Sequence, residues 1–189
     1  MPVTTLKKEG LMKLNKEIMI SILTAAVMTG AGSALMANSL TNMTSYVWIF
    51  FAGFTITTAS CKGVKSIPNL VCSHAAGWVW ALFMYYICLF ILDLTGNLAL
   101  GFFLCIFIGS VVMLSIHLGF TMKTWFNNIS VMYGTIFCWF ANQDYSKVVY
   151  IVIAFLLGGI FSTISDEIEK IIISALNKNK SKNEELKEG

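Results

Sequence analysis

The chain has 189 residues, of which 57% are hydrophobic and only 12% charged, with a mean hydropathy of +0.74. Soluble domains are about a quarter charged, so a water-soluble fold would have nowhere to bury this much apolar surface, and the composition implies an integral membrane protein. Every basic side chain is lysine and the net charge is only +3; without arginine, the usual bidentate phosphate reader, no nucleic-acid partner is expected.

A helix that crosses a bilayer needs about 20 mostly apolar residues. A lysine-bearing segment (residues 1–17) leads into the first candidate, residues 18–38. Its lysines, apolar run and "AGSA" also fit a signal peptide, but the run is long for a signal core, so a retained helix is expected. The second candidate, residues 46–60, holds Gly53, Thr55, Thr57, Thr58 and Ser60. Lys62 and Lys65 follow, then a third candidate at 70–92 with His74, Gly77, Trp78 and Trp80. The fourth, 98–117, steps through Gly101, Cys105 and Gly109 and closes on His117. After Lys123 comes the fifth, "WFNNISVMYGTIFCWFA" (residues 125–141), which opens on Asn127 and Asn128, is interrupted by Gly134 and Thr135, and leads into Asn142. The sixth, 148–164, contains Gly158 and Gly159. In the tail (166–189), Ile168, Ile171, Ile172, Ala175 and Leu176 recur at helical spacing, and a cytoplasmic extension of span six is expected there. Beyond them "NKNKSKNEELKEG" has the composition of a disordered end.

Lysines precede span one, lie between spans two and three and between four and five, and follow span six. The other side has Lys147 with Asp93 and Asp144. The positive-inside rule then places both termini in the cytoplasm, which requires an even number of spans. The expected fold is an all-α integral membrane protein of about six transmembrane helices, its membrane domain covering residues 18–165.

The second and fifth spans match loosely: each has an aromatic-rich run, a glycine followed closely by threonine, and a short charged loop before the next span. Gly77 and Gly159 are read as matching positions in the spans that follow. Three spans per half is an odd number, so a repeat of halves 18–95 and 96–165 is an inverted-topology (3+3) repeat, an arrangement found in transporters, where paired short or glycine-interrupted spans mark the solute site.

Thr55 and Thr58 share a helix face, as do Thr135, Cys138 and Asn142. With Asn127 and Asn128 they form the expected solute pathway, since hydroxyls and amides donate and accept without carrying charge. The competing role for each is hydrogen bonding between helices. Gly53, Gly77, Gly134 and Gly159 are the expected sites of helix break or close packing. Ala26, Gly30, Gly32 and Ala34 make small-residue steps that permit packing within the subunit or between subunits, and a homo-oligomer is expected. His74 and His117 sit near span ends, where a gating role competes with interfacial placement. The five cysteines lack metal-ligand spacing; no metal and no cofactor are expected.

The stretches "FAGFTITTASCKG" (51–63), "AAGWVWALF" (75–83) and "YGTIFCWFANQD" (133–144) resemble the domain-of-unknown-function family 1097 (DUF1097), small bacterial inner-membrane proteins. The resemblance covers residues 18–164. It implies a compact multi-span protein in the bacterial inner membrane and assigns no chemistry. Relatives carry a proline near the start of span five and an aromatic near the position of Thr58, where this chain has Asn127, Asn128 and Thr58.

No Asp, Glu or Lys lies mid-span, which disfavours a proton-driven pump, and no nucleotide-binding or hydrolase motif appears, so no enzyme activity is expected. The sequence therefore points to a channel or facilitator for a small neutral or weakly charged solute. The alternative is a non-transporting membrane partner or scaffold that acts through its charged tail.

Overall fold

The structure is a computed structural model, and it describes residues 16–38, 41–142 and 145–188. The segment before residue 16, Asp144 and the last residue, used above in the charge pattern and domain limits, lie outside the described residues. The regular structure of the described residues is all helical, with no strand: α1 (Lys16–Ala37), α2 (Val47–Ser60), α3 (Ile67–Thr95), α4 (Leu98–Gly119), α5 (Ile129–Ala141) and α6 (Val148–Glu188), with single 3-10 turns ahead of α2, α3 and α6.

Four of these helices are long and apolar enough to cross a membrane: Lys16–Ala37, Val64–Thr95 (α3 with the turn before it), Leu98–Gly119 and Val148–Lys178. α2 has 14 residues and α5 has 13, about 20 Å each at about 1.5 Å per residue, against a hydrocarbon core of about 30 Å.

Local chemistry sets the helix ends. α3 carries a proline in its first turn, where the missing N–H would find no helical partner anyway. It stops at Gly96, whose φ of 64° is the left-handed cap geometry, and Asn97 immediately caps α4 by accepting from the Leu100 N–H at 3.1 Å. α5 begins at Ile129 rather than near Trp125, because Asn128 takes the N-cap position and accepts from Val131 N–H at 3.2 Å. α6 runs without interruption from Val148 to Glu188: the tail continues the sixth helix, as its helical spacing implied, and the helix also covers the polar run whose composition pointed to a disordered end.

Pairing is regular. α2 lies along α6 and α5 along α3, while α1 packs on α6 and α4 on α3. α2 runs parallel to α6: the Tyr46 ring stacks on Tyr150 at 5.5 Å, Thr58 bonds Ser162 at 2.9 Å, and Gly63 N–H donates to Asp166 at 3.0 Å. Their backbones touch. A Cβ on Gly53 would overlap the carbonyl oxygen of Phe155, and one on Gly158 the carbonyl oxygen of Phe50. Gly77 has the same task between α3 and α5, where a Cβ would stand 2.7 Å from Thr135 Cβ and 3.0 Å from Met132 Cα. Close backbone approach thus falls on Gly53, Gly77 and Gly158. Gly159, the position matched to Gly77 from sequence, faces the Leu70 and Thr57 side chains instead.

Small residues of α1 divide by face. Gly32 is buried against the Phe50 ring, while Ala26, Gly30 and Ala34 are exposed and Gly30 faces open space. α1 begins beside the far part of α6, where the Ser21 hydroxyl donates to Glu169. One end of the bundle therefore collects the start of α1, the α2–α3 turn, the start of α5 and α6 from Asp166 onward, together with Lys16, Lys62, Lys65, Lys123 and Lys170.

Candidate functional site

Buried polar groups are concentrated where α2, α3, α5 and α6 meet. Thr57, Ser73, His74, Asn128, Thr135, Ser162 and Thr163 are each buried in an interior otherwise made of Phe50, Phe155, Leu70, Met84 and similar apolar side chains. None carries a fixed charge. Burying such groups is tolerated when each finds a hydrogen-bond partner.

His74 sits two turns into α3 and is 2% exposed, not at the interface. Its Nδ1 is 2.7 Å from the Thr135 hydroxyl, which itself donates to the Val131 carbonyl at 2.8 Å. Trp78 donates its indole N–H to Nε2 of the same ring at 2.9 Å. The ring lies flat on Phe155, with centroids 4.7 Å apart and planes 14° apart. One imidazole thereby ties α3 to α5 by a hydrogen bond and to α6 by stacking.

His117 is held similarly at the end of α4. Trp80 donates to its Nε2 at 2.9 Å, and its Nδ1 meets the Phe126 carbonyl at 2.6 Å and the Thr121 hydroxyl at 2.8 Å. Trp78 and Trp80 are thus hydrogen-bond donors to the two histidines.

The paired asparagines are stitches at the lysine-rich end. Asn128 caps α5 with its oxygen and reaches back to α2 with its amide nitrogen, 3.1 Å from both Ser60 Oγ and Cys61 Sγ. Its backbone N–H donates to Ser73 at 3.1 Å. Asn127 donates to the Met122 carbonyl at 2.6 Å and accepts from Asn69. The α4–α5 turn is thus fastened to α2 and α3.

The expected pathway residues do not share one surface. Thr135 and Cys138 are fully buried on the inner face of α5, Asn142 is half-buried at its end, and Asn128 is buried at its start. Thr55 and Thr58 are exposed on the outer face of α2, and Thr58 turns its hydroxyl back to the Phe54 carbonyl and to Ser162. The buried face of α2 is set by Ile49, Phe50, Gly53, Phe54 and Thr57. Thr57 is therefore the inward hydroxyl that the Thr55/Thr58 pairing passed over. The signal was available: Thr57 is one helical turn from both Gly53 and Phe54, and the glycine marks the packed face. Thr57 Oγ1 is also the one inward hydroxyl here with no hydrogen-bond partner. Gly134 completes the junction, where a Cβ would press on Ile56 of α2 and stand 3.2 Å from the Phe155 ring.

Comparison with protein-family models, with curated proteins and with solved structures finds no match to this chain.

Proposed function

We propose that the chain is a membrane channel or facilitator for a small neutral or weakly charged solute, with six crossings in a 3+3 inverted arrangement and both termini in the cytoplasm of a bacterial inner membrane. The observation that carries this reading is the belt of buried, uncharged polar side chains between the two short helices and their long partners: Thr57, Ser73, His74, Asn128 and Thr135. Intramembrane polar groups are expensive, and Thr57 holds a hydroxyl there with no protein partner, as a group that meets a passing solute would.

Two features support the architecture. α1 on α6 mirrors α4 on α3, and α2 along α6 mirrors α5 along α3. Gly53 and Gly134, Gly77 and Gly158, and His74 and Phe155 are separated by the same number of residues, and the last pair stack on each other, as partners at the seam of two related halves would. The flanks of α2 make up part of the length it lacks for a crossing. Its flanks follow α6 from Tyr150 to Asp166, about 24 Å of helix axis at about 1.5 Å per residue. Lysines gathered at one end favour that end as cytoplasmic. Resemblance to the DUF1097 family fits a bacterial inner-membrane location, and association of copies belongs to the same proposal.

Stopped-flow measurement on proteoliposomes, with urea, ammonia, glycerol and short amides as the panel, tests it. At least one solute should cross faster than in empty vesicles. No acceleration across the panel, with helix content verified, rules the reading out.

A second reading has its own observation. Beyond Asp166, α6 exposes Ile168, Ile171, Ile172 and Leu176, a stripe suited to a scaffold's partner. The double variant Ile171→Glu/Leu176→Glu, which charges the two most exposed positions of that stripe, separates the two: a scaffold loses its partner in pull-downs, and a channel keeps its flux.

A further inference from the structure

Two tryptophans of α3, Trp78 and Trp80, each donate an indole N–H to Nε2 of a histidine, both at 2.9 Å. Indole N–H can only donate, so each Nε2 is an acceptor and the single ring proton is on Nδ1, an assignment made from the hydrogen-bond network. The far side of each ring agrees. His117 Nδ1 faces the Phe126 carbonyl, which can only accept. His74 Nδ1 faces the Thr135 hydroxyl, whose own proton is committed to the Val131 carbonyl.

We propose that these two indole–imidazole pairs are proton-sensitive latches: Trp78–His74 at the contact of α3 with α5 and α6, and Trp80–His117 at the contact of α3 with α4 and the α4–α5 turn. A second proton on either ring can bind only the Nε2 lone pair. It is delivered by a hydronium ion, whose O–H bond breaks as the N–H bond forms and which leaves as water, and the one protein interaction lost is the indole–imidazole hydrogen bond. Two N–H donors would then face each other with no acceptor between them, and the indole must move. Movement of Trp78 acts on Trp139 of α5, whose ring meets it edge-on at 4.9 Å. Movement of Trp80 releases α3 from the ring that holds the Phe126 carbonyl, just ahead of the asparagine stitches.

The surroundings offer an imidazolium no counter-charge. His74 is faced by Trp78 from its own helix, Thr135 from α5 and Phe155 from α6. The titratable groups of α5 are Tyr133 and Cys138, and α6 before Asp166 adds only Tyr150. His117 is faced by Trp80 from α3 and by Thr121 and Phe126 from the turn. Cys105 is the other titratable group of α4, and the turn adds Lys123, which is exposed. The remaining titratable groups of α3 are Cys72, Tyr85, Tyr86, Cys88 and, near its far end, Asp93.

The proposal concerns regulation of the proposed solute path, and it rests on that reading only for its effect on flux. The latches are tested without flux, by intrinsic tryptophan fluorescence of the full chain in lipid nanodiscs. The titration runs from about pH 8 to about pH 3, well below the ordinary imidazole range. Acidification should quench and red-shift the emission reversibly while far-UV circular dichroism stays constant. Trp78→Phe and His74→Gln should each remove one part of that change, and Trp80→Phe and His117→Gln the other part. A flat emission profile with helix content retained overturns the proposal, as does a change that survives in the double His74→Gln/His117→Gln variant. Should the histidine variants fail to fold, an undiminished change in the double Trp78→Phe/Trp80→Phe variant overturns it equally. A fluorescence change without flux leaves the latches standing and removes the channel; flux with flat emission does the reverse.

Discussion

α2 and α5 occupy equivalent places, each a short helix laid parallel to a long one, yet they are held by different chemistry. α2 meets α6 backbone to backbone through Gly53 and Gly158, and its inward hydroxyl, Thr57, has no partner. α5 also meets α3 across a glycine, Gly77, but its inward hydroxyl, Thr135, closes a chain of hydrogen bonds from Trp78 through His74 to the Val131 carbonyl. The α2 contact depends on shape and the α5 contact on a network. Substitutions that alter shape should hurt the first more, and substitutions that remove one polar atom should hurt the second more.

The largest effect is expected at the α2–α6 contact. A valine at Gly158 must separate two backbones, since the overlapping atom is the Phe50 carbonyl oxygen rather than a flexible side-chain tip. Thermal unfolding in detergent should show a loss at or above the upper end of the roughly 1–3 kcal/mol usual for overpacking. Gly30→Val, where a side chain enters open space, should leave the unfolding temperature nearly unchanged. Equal losses in the two variants would mean that α2 and α6 do not touch as described.

Next come the two asparagine caps. Asn97→Ala removes one cap hydrogen bond at an exposed turn and should cost about 1 kcal/mol. Asn128→Ala removes the cap of α5 and the bonds to Ser60 and Cys61 as well, and should cost about 2 kcal/mol. If Asn97 proves the costlier, the tie from α5 back to α2 is not made.

The comparison is sharpest with one pair of isosteric changes. Thr135→Val leaves the His74 Nδ1–H without an acceptor at a buried site and should lose about 1–3 kcal/mol. Thr57→Val replaces a hydroxyl that has no partner, and should be neutral or slightly stabilising. A matched pair of chemical-denaturation curves reads the difference directly.

The smallest effect belongs to Thr55→Val on the outer face of α2, within about 0.5 kcal/mol of the parent.

Much of this was legible in the sequence. The all-helical apolar chain, the lysine-rich end and the short second and fifth helices follow from hydropathy, charge placement and the Gly/Thr interruptions. Asn128 as a break in the fifth span was legible too, because two adjacent amides cannot both serve one neighbouring helix. What was not legible has a physical cause in each case. The buried face of α2 could not be read from hydrophobicity, because apolar residues lie on both faces of this helix; Gly53 and Phe54 mark it, and Thr57 follows them. His74 and His117 looked interfacial by position, but their place depends on indole donors: Trp78 on His74's own helix, and Trp80, on α3, for His117, where no sequence period links the pair. The continuation of α6 past residue 176 ran against composition, since a polar lysine-rich run carries no apolar stripe to announce a helix.

The most direct measurement is flux through the parent protein, Thr57→Leu and Thr55→Leu, reconstituted at equal density and assayed with the fastest solute of the panel. A path along the buried polar belt predicts that Thr57→Leu falls toward the empty-vesicle rate while Thr55→Leu keeps the parent rate. Equal rates in the three proteins, or a loss at Thr55 alone, would contradict it.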